Sequence, residues 1–372
     1  MAKIEFGYFS RSTVKPIDKI FNLEKEKKLI IEFLRHNEWF MVSGIRRVGK
    51  TTLVRSLLKH LGIRNIYINL WNIDEDRPYD DFIYRLSREL LSYVDRSIKS
   101  KLKGIEEISL LGIRVKLKHK EKEFYLDELL EQILRKHRIV IVIDEIQEIE
   151  KNLKKFSKLL SALHDQFAPR LSVVILGSIA SIRHLFKGDM SETEPLFGRI
   201  IREFNITPFS ISEAKQFLLA GFEECNIDIN TEDIEKAISY LGTITGWLVE
   251  FGRQYVIEKR ALGSVEVDKI IETAYEHSKT IVYGEIARML KGKKRFDVYL
   301  RILKLIANNP YIGLAEISRA LSRSKPTILQ YLEFLMFRNI VYGENGRYNI
   351  IDPLYRRTIL APNFEIEVKK RL

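Results

Sequence analysis

The ten residues from Ser43 to Thr52, SGIRRVGKTT, constrain the fold of this chain more than any other segment. Gly44 and Gly49 stand at the two glycine positions of the pattern G-x-x-x-x-G-K-[ST], and Lys50 and Thr51 complete it. The apolar segment WFMVSG precedes the pattern, and KTTLVRSLLKHL, which is apolar at helical spacing, follows it. A strand, a glycine loop and a helix in this order predict a phosphate-binding loop rather than a surface loop that matches by chance.

Each fixed residue of the pattern has a physical role. Glycines let the backbone curl so that several N–H groups point at one anion, and the start of a helix at Lys50 adds its dipole. The Lys50 side chain is expected to reach the β and γ phosphates, and the Thr51 hydroxyl to bind Mg²⁺. The predicted ligands are therefore ATP or ADP with Mg²⁺, and the predicted binding residues are Gly44, Ile45, Arg46, Arg47, Val48, Gly49, Lys50 and Thr51.

A second motif, which is acidic, follows about ninety residues later, where the apolar run IVIVI is followed by Asp144 and Glu145. At the tip of a strand beside the phosphates, Asp144 can hold the metal and Glu145 can orient or deprotonate the attacking water. A carboxylate pair at a strand end is otherwise just the solvated start of a loop. A base beside the metal ligand favours ATP hydrolysis over transfer to a small acceptor.

Two further residues are predicted to act in catalysis. Ser178 ends the apolar segment VVILGS and can contact the γ phosphate, the alternative being a simple strand cap. Arg199, in PLFGRIIREF, can deliver a guanidinium to the charge that develops on the γ phosphate, and Arg202 is the competing choice.

The fold class follows from apolar strands that alternate with helices. Strands without polar alternation predict a parallel sheet covered on both faces. With the phosphate-binding loop, this sheet predicts an α/β P-loop NTPase core over residues 1–206. Only helical periodicity remains after ITPFS, which predicts a helical lid over residues 207–280. The segment ISLLGIRVKLK around Gly112 predicts a hairpin in a lysine-rich insertion over residues 95–122.

Residues 281–372 predict a winged helix-turn-helix. Three helical segments, FDVYLRILKLIAN, GLAEISRAL and SRSKPTILQYLEFLMFRN, precede a hairpin turn at Asn345-Gly346. Such a unit places its third helix in the DNA major groove. The residues expected to face DNA are Arg323, Lys325, Thr327, Gln330, Tyr331 and Arg347, and those expected in the core are Ile328, Leu332, Leu335 and Met336. Such units also dock onto proteins or pack on their own ATPase domain, and Glu333 and Phe334 favour a protein contact. A protein partner or a homo-oligomer is therefore the alternative.

Charge supports the nucleic-acid interpretation. The 372-residue chain has a net charge of +12, and from Ile281 onward 17 Lys/Arg oppose 8 Asp/Glu, an excess of 9. The lone cysteine, Cys225, excludes an internal disulfide or a zinc cluster. The longest apolar run, Ile139 to Ile143, is far shorter than a membrane span, and no signal segment is recognised, so a cytoplasmic protein without a membrane partner is expected.

Several segments together resemble the archaeal ATPase family, one of the signal-transduction P-loop ATPases related to AAA+ proteins such as the Orc1/Cdc6 initiators. They are GIRRVGKTTL, VIVIDEIQEI, VILGS, PLFGRI…ITPFS…EAKQFL and LGTITGWLVEFG, within a resemblance that runs from about residue 17 onward. It implies an AAA+-like core, a lid and a winged helix. It further implies that Thr52 approaches the α phosphate, Ser178 acts as a sensor, Arg199 follows the Leu-x-Gly element, and Gly246 and Trp247 close over the nucleotide.

The chain departs from that family in two places. Thr245 stands where the lid element usually has proline, and the Phe-x-Arg-Glu-x-Glu element near the N-terminus reads FNLEKE, without its arginine. The main hypothesis is a Mg²⁺-dependent ATPase that acts as a nucleotide-driven switch on DNA or a partner. The alternative is a nucleotide-gated regulator that binds a protein and scarcely turns over. A GTPase is disfavoured because no Asn-Lys-x-Asp segment is present.

Overall fold

A computed structural model describes residues 6–74, 76–93, 107–110, 113–116, 123–168, 170–187 and 202–372. Contacts within it divide the chain into two compact units. The sheet unit comprises Leu23–Gly44 and Lys50–Asn205, and the C-terminal unit comprises Met1–Asn22, Ile45–Gly49 and Ile206–Leu372. Most of the phosphate loop thus groups with the C-terminal unit, whereas the sequence placed it in the core domain.

The sheet unit contains eight strands among its described residues. They are β1 (Phe40–Ser43), β2 (Asn65–Asn69), β3 (Glu107–Leu110), β4 (Ile113–Lys116), β5 (Glu123–Tyr125), β6 (Ile139–Asp144), β7 (Leu171–Gly177) and β8 (Arg202–Asn205). Five of them form a parallel sheet in the order β2-β6-β7-β1-β8. The predicted parallel α/β core is confirmed.

Helices accompany these strands. They are α1 (Glu24–Arg35), α2 (Lys50–His60), α3 (Pro78–Ser92), α4 (Leu126–Lys136), α5 (Leu153–Phe167) and α6 (Ile179–Lys187), with a 3₁₀ helix at Ile146–Asn152. Every residue of β1, β6 and β7 is buried, whereas the edge strands β2 and β8 keep exposed positions. Central strands covered on both faces can bury apolar side chains at every position, which explains the unbroken apolar runs in the sequence.

The insertion contains the hairpin that the sequence predicts. Strand β3 pairs antiparallel with β4, and Leu110 opposes Ile113 across the predicted turn. Strand β5 pairs parallel with β3, with Phe124 opposite Ile108 and Tyr125 opposite Ser109. The helix α4 begins one residue later, at Leu126.

The C-terminal unit is mainly helical. Its helices are α7 (Ile211–Glu224), α8 (Thr231–Leu241), α9 (Thr245–Leu262), α10 (Val267–Leu290), α11 (Phe296–Asn308), α12 (Leu314–Ala320), α13 (Lys325–Phe337), α14 (Pro353–Leu360) and α15 (Phe364–Lys369). Three strands, β9 (Ile312–Gly313), β10 (Tyr342–Glu344) and β11 (Arg347–Asn349), form a small antiparallel sheet. The sequence predicts a boundary between the lid and the third domain after residue 280, but α10 is continuous across this position.

An N-terminal segment completes the core of this unit. Phe9 lies in a 3₁₀ helix and is fully buried against the rings of Phe217 and Phe222 on α7. Gly221 and Gly252 allow this packing, because a Cβ at either position would come within 2.5 Å of the Phe9 ring. The helix α7 itself begins at a capping box formed by Ser210 and Glu213.

The last elements match the expected order of three helices and a hairpin. Helix α13 begins at the predicted N-cap, where the Ser324 side chain accepts a hydrogen bond from the Thr327 N–H at 3.4 Å. Asn345 and Gly346 have φ angles of 50° and 73°, the left-handed values that a two-residue hairpin turn requires. Antiparallel pairing of β10 with β11 follows from this turn.

Packing on α13 partly corrects the expected faces. Three of the four predicted core residues, Ile328, Leu332 and Leu335, are fully buried, and Met336 is half-buried. Phe334, which the sequence predicts as a contact for a partner, is buried against the Tyr299 ring, with centroids 5.1 Å apart. Tyr331, which was expected to face outward, is half-buried on the same ring. The contacts of both rings with Tyr299 on α11 explain why Phe334 and Tyr331 are less exposed than predicted. The periodicity of α13 alone does not show which residues of another helix pack against it.

Candidate functional site

The predicted site residues of the sheet unit follow the carboxyl ends of neighbouring strands. Ser43, the last residue of β1, aligns with Gly177, the last residue of β7, so Gly44 and Ser178 emerge at the same edge. Ile143 aligns with Ile175 in the next pair, which brings Asp144 to this edge too. Ligands of open parallel sheets bind outside the carboxyl ends of the strands, so the three segments converge where a ligand is expected.

Three residues of the predicted phosphate loop have positive φ angles. Gly44 and Gly49 have φ angles of 148° and 99°, which favour glycine, and Arg47 adopts a left-handed φ of 66°. Helix α2 begins at Lys50, as predicted. The Lys50 side chain is only 7% exposed, and its ammonium donates a hydrogen bond to the Gly44 carbonyl at 3.0 Å.

Thr51 and Asp144, the two predicted metal ligands, lie together although 93 residues separate them. The Thr51 hydroxyl donates a hydrogen bond to Asp144 Oδ2 at 2.7 Å, and the Glu145 N–H donates to Oδ1 at 2.9 Å. Asp144 is 2% exposed, so these donors stabilise a buried carboxylate. A hydroxyl and a carboxylate at this spacing are oxygen ligands suited to Mg²⁺, and they fit the predicted metal.

Sequence reasoning missed Tyr67 on β2. Its hydroxyl donates a hydrogen bond to Asp144 Oδ2 at 2.6 Å, so one carboxylate oxygen accepts from two hydroxyl groups. Burial, together with the Asp144 charge, raises the pKa of Tyr67 well above its usual range, and the hydroxyl therefore stays protonated. The alignment of Asn69 with Asp144 in the parallel pair β2–β6 makes this contact possible. Only that register, which the sequence does not show, could have identified it.

Glu145 has an unusual backbone beside Asp144, the predicted metal ligand. Its φ angle is 59°, a left-handed value that is strained for a residue other than glycine. Its carboxylate accepts a hydrogen bond from the Gln147 side chain, which is 1% exposed and was also missed. The Glu145 carboxylate is thus held beside Asp144, and its role as a base for water stays a prediction.

The outcomes for the remaining catalytic candidates differ. Ser178 is buried, and its Oγ accepts a hydrogen bond from the Ser181 N–H at 2.9 Å, which caps the start of α6. Arg199 lies outside the described residues, so its role stays a prediction. Arg202 begins β8 and aligns with Phe40, at the edge of the sheet opposite to the phosphate loop. The competing choice of Arg202 is therefore disfavoured.

Within the C-terminal unit, the loop arginines are firmly held. Arg47 donates a hydrogen bond to Glu285 at 2.9 Å and to the Tyr355 hydroxyl at 3.3 Å, and its guanidinium lies 4.5 Å from the centre of the Trp247 ring. Arg46 forms a 2.8 Å ion pair with the other oxygen of Glu285. The Gly246 N–H donates to the Arg47 carbonyl at 2.9 Å. Gly246 and Trp247, implicated by resemblance, thus contact the loop residue Arg47.

The Gly246 position has little room for any other residue. A Cβ there would lie 2.7 Å from the Arg47 Cβ, which only glycine avoids. Ile45 packs against the apolar core of the same unit. The nucleotide roles of Ile45, Val48, Thr52, Gly246 and Trp247 stay predictions.

The residues predicted to contact DNA differ in exposure. Lys325, Gln330 and Arg347 are exposed, whereas Arg323 and Thr327 are partly buried. Thr327 shares a hydrogen bond with Ser324 at the start of α13. Arg347, on β11 of the hairpin, donates to the Tyr311 carbonyl at 3.1 Å, so it is braced while its side chain remains accessible.

A parallel sheet in which a strand leads through a glycine loop into a helix, with a carboxylate at a nearby strand end, defines a P-loop ATPase fold. A family model described as an ATPase domain predominantly from Archaea matches residues 20–251, more than half of the chain. The chain therefore belongs to this family of ATPase domains, and the resemblance seen in the sequence is confirmed.

Solved structures share this fold. The Walker-type ATPase PABY2304 of Pyrococcus abyssi is 24% identical, with a TM-score of 0.73 over 95% of this chain and 100% of that one. The ORC2 protein of Aeropyrum pernix, solved as ADPNP–ADP complexes, is 12% identical, with a TM-score of 0.61 over 98% of both chains. A search of curated proteins finds no match. Among the described residues, none of the helices has the length and apolar character needed to cross a membrane.

Proposed function

We propose that this protein binds ATP with Mg²⁺ and hydrolyses it to ADP and phosphate. The observation that carries the proposal is the 2.7 Å contact between Thr51 and Asp144, beside a buried Lys50 at the start of α2. These three residues and Glu145 all belong to the sheet unit. Family membership supports nucleotide binding, and the ORC2 structure shows nucleotide bound to a protein of the same fold.

The chain supplies each group that hydrolysis needs. Lys50, at the N-terminus of α2, would neutralise charge on the β and γ phosphates together with the helix dipole. Thr51 and Asp144 would hold Mg²⁺, which neutralises phosphate charge when it is bound. Glu145 would orient the attacking water and accept its proton, because it follows the metal ligand directly and its carboxylate is held by Gln147.

Two substitutions in the sheet unit test this proposal. Lys50→Ala is expected to weaken ATP binding and to reduce turnover about 100-fold or more, because phosphate charge loses its partner. Glu145→Gln keeps the size of the side chain but removes the base, so it should bind ATP while hydrolysing it about 100-fold more slowly. Lys59→Ala is the matched control, since Lys59 is an exposed lysine on the same helix.

ATP and GTP turnover should be measured for all four proteins. Unchanged turnover in Lys50→Ala would refute the assignment of the site. Equal turnover of GTP and ATP by the wild type would refute the preference for adenine. If Glu145→Gln hydrolyses ATP at the wild-type rate, another group acts on the water.

We also propose that the C-terminal unit binds duplex DNA through α13 and the β10–β11 hairpin, as a winged helix does, so that the ATPase acts as a nucleotide-driven switch on DNA. Nine of the twelve net positive charges lie from Ile281 onward, and Lys325, Gln330 and Arg347 are exposed on these elements. Burial of Phe334 removes one argument for the alternative, a protein-binding regulator with little turnover.

Duplex affinity measured against salt concentration tests this second proposal. Each phosphate contact contributes about 0.9 to the slope of log affinity against log salt, so Lys325→Ala or Arg347→Ala should each lower the slope by about one. Lys269→Ala, which removes an exposed lysine from α10, should leave the slope unchanged. Absence of binding at low salt would favour the protein-binding alternative.

A further inference from the structure

We propose that Tyr67 is a positioning residue for Mg²⁺: its hydroxyl holds the Asp144 carboxylate in the orientation that the metal requires. The inference rests on the proposed ATPase site and assigns a role to a residue outside its sequence motifs. Tyr67 lies on the edge strand β2, and its hydroxyl is 2.6 Å from Asp144 Oδ2. Both residues belong to the sheet unit.

Among the described residues, the Asp144 carboxylate accepts hydrogen bonds from Glu145, Thr51 and Tyr67, and these donors are not equivalent. The Glu145 N–H reaches Oδ1, while the Thr51 and Tyr67 hydroxyls both reach Oδ2. The Thr51 oxygen is itself a predicted metal ligand, so its geometry must suit the metal. Tyr67 has no such second task, because a neutral phenol is a poor ligand for Mg²⁺. Its hydroxyl can therefore anchor the carboxylate whether or not the metal is bound.

The Tyr67 ring is itself held in place. The Arg55 guanidinium, one turn after Thr51 on α2, lies 4.6 Å from the centre of the Tyr67 ring. The Asn69 amide lies 3.5 Å from the Tyr67 hydroxyl, at the limit of a hydrogen bond. Residues that orient a metal ligand in this way typically change metal affinity or activity by about 10- to 100-fold when they are removed.

The chain offers a matched control for the loss of this hydroxyl. Tyr93 is also a half-buried tyrosine of the sheet unit, and its hydroxyl donates to the Asn65 carbonyl on β2 at 2.8 Å. Tyr93→Phe therefore removes one hydrogen bond to the same strand without touching Asp144. Tyr67→Phe removes the equivalent group beside the metal ligands.

The experiment measures the dissociation constant of ATP for the full chain in EDTA and across a Mg²⁺ titration, by calorimetry. Wild type should bind ATP more tightly with Mg²⁺. In EDTA, Tyr67→Phe should bind ATP with the same dissociation constant as wild type. It should need an Mg²⁺ concentration about 10-fold higher to reach half of the increase in ATP affinity that Mg²⁺ produces. Tyr93→Phe should behave as wild type in both conditions.

Other outcomes overturn the inference in distinguishable ways. If wild type responds to Mg²⁺ and Tyr67→Phe responds equally, Tyr67 does not position the metal site. If Tyr93→Phe shifts the Mg²⁺ requirement as much as Tyr67→Phe does, the effect comes from the packing of β2. If wild type does not bind ATP at all, the proposed function fails and the inference fails with it.

Discussion

Asp352 offers a sharp test of the electrostatics of the C-terminal unit, through its replacement by asparagine. Asp352 caps α14: its Oδ1 accepts hydrogen bonds from the N–H groups of Leu354 and Tyr355, and its Oδ2 accepts one from the Trp247 indole at 2.9 Å. Burial raises the pKa of Asp352 from 3.8 to about 6, although the Trp247 hydrogen bond and the Arg47 charge both lower it.

The size of the effect follows from that pKa. A rise from 3.8 to about 6 corresponds to about 3 kcal/mol of tighter proton binding in the folded state. Asp352 keeps some accessible surface, so solvent screens part of this effect and the figure is an upper value. Because the pKa is raised on folding, this contribution to the free energy of unfolding is fully present below about pH 3.8 and is lost as the pH rises through about 6.

Trp247 allows the ionisation of Asp352 to be followed in the native protein. The difference between the emission of wild type and Asp352→Asn should show a transition near pH 6. Trp39 and Trp71 are in the sheet unit, and their emission cancels in the difference. Arg47→Gln should move the midpoint upward, because it removes a charge that lowers the pKa of Asp352.

Two results would refute this reasoning. A flat difference curve between about pH 4.5 and about pH 8 would mean that burial does not raise the pKa of Asp352 as the packing implies. A midpoint that falls in Arg47→Gln would mean that the Arg47 charge does not act on the carboxylate.

Two predictions concern stability, measured by denaturant unfolding of the full chain followed by circular dichroism. Glu285→Gln should cost about 2 kcal/mol or more, because the carboxylate is 9% exposed and pairs with both loop arginines. Glu250→Gln, whose arginine partner is 57% exposed, should cost less than about 1 kcal/mol. Equal losses of stability in the two variants would contradict the expectation that burial strengthens the Glu285 pairs. Gly252→Ala should cost about 1–3 kcal/mol through its clash with Phe9. Gly284→Ala, in a helix with open space around it, should raise the free energy of unfolding by up to about 1 kcal/mol, because alanine favours a helix more than glycine does. A lower free energy of unfolding in Gly284→Ala would mean that the space around this position is not open.

The sequence predicts the parts of the site that depend on local pattern. The start of α2 at Lys50, the end of β6 at Asp144 and the turn at Asn345 each follow from a few adjacent residues. An apolar run and an Asn-Gly pair each specify their own conformation, and the fixed residues of the glycine loop specify where the helix begins, so these positions need no distant contact.

Contacts between distant segments are the part that the sequence does not predict. Tyr67 meets Asp144 only because β2 pairs with β6 in one register. For Ser178 the sequence left open a strand cap, whereas its hydroxyl caps the start of α6, and its contact with the γ phosphate stays a prediction. The division at residue 280 falls inside α10 because helical periodicity carries no signal for a domain boundary.

Arg47 shows why a motif describes only part of a phosphate loop. Its left-handed backbone costs about 1 kcal/mol or more in a residue other than glycine. The hydrogen bond to Glu285 and the stacking on Trp247 offset that cost within the C-terminal unit. The fixed positions Gly44 and Lys50 belong to the sheet unit, whereas Ile45–Gly49, which includes every variable position of the motif, belongs to the C-terminal unit. The fixed residues of the motif therefore predict the chemistry of the loop. A variable residue, Arg47, makes the contacts that stabilise the loop conformation.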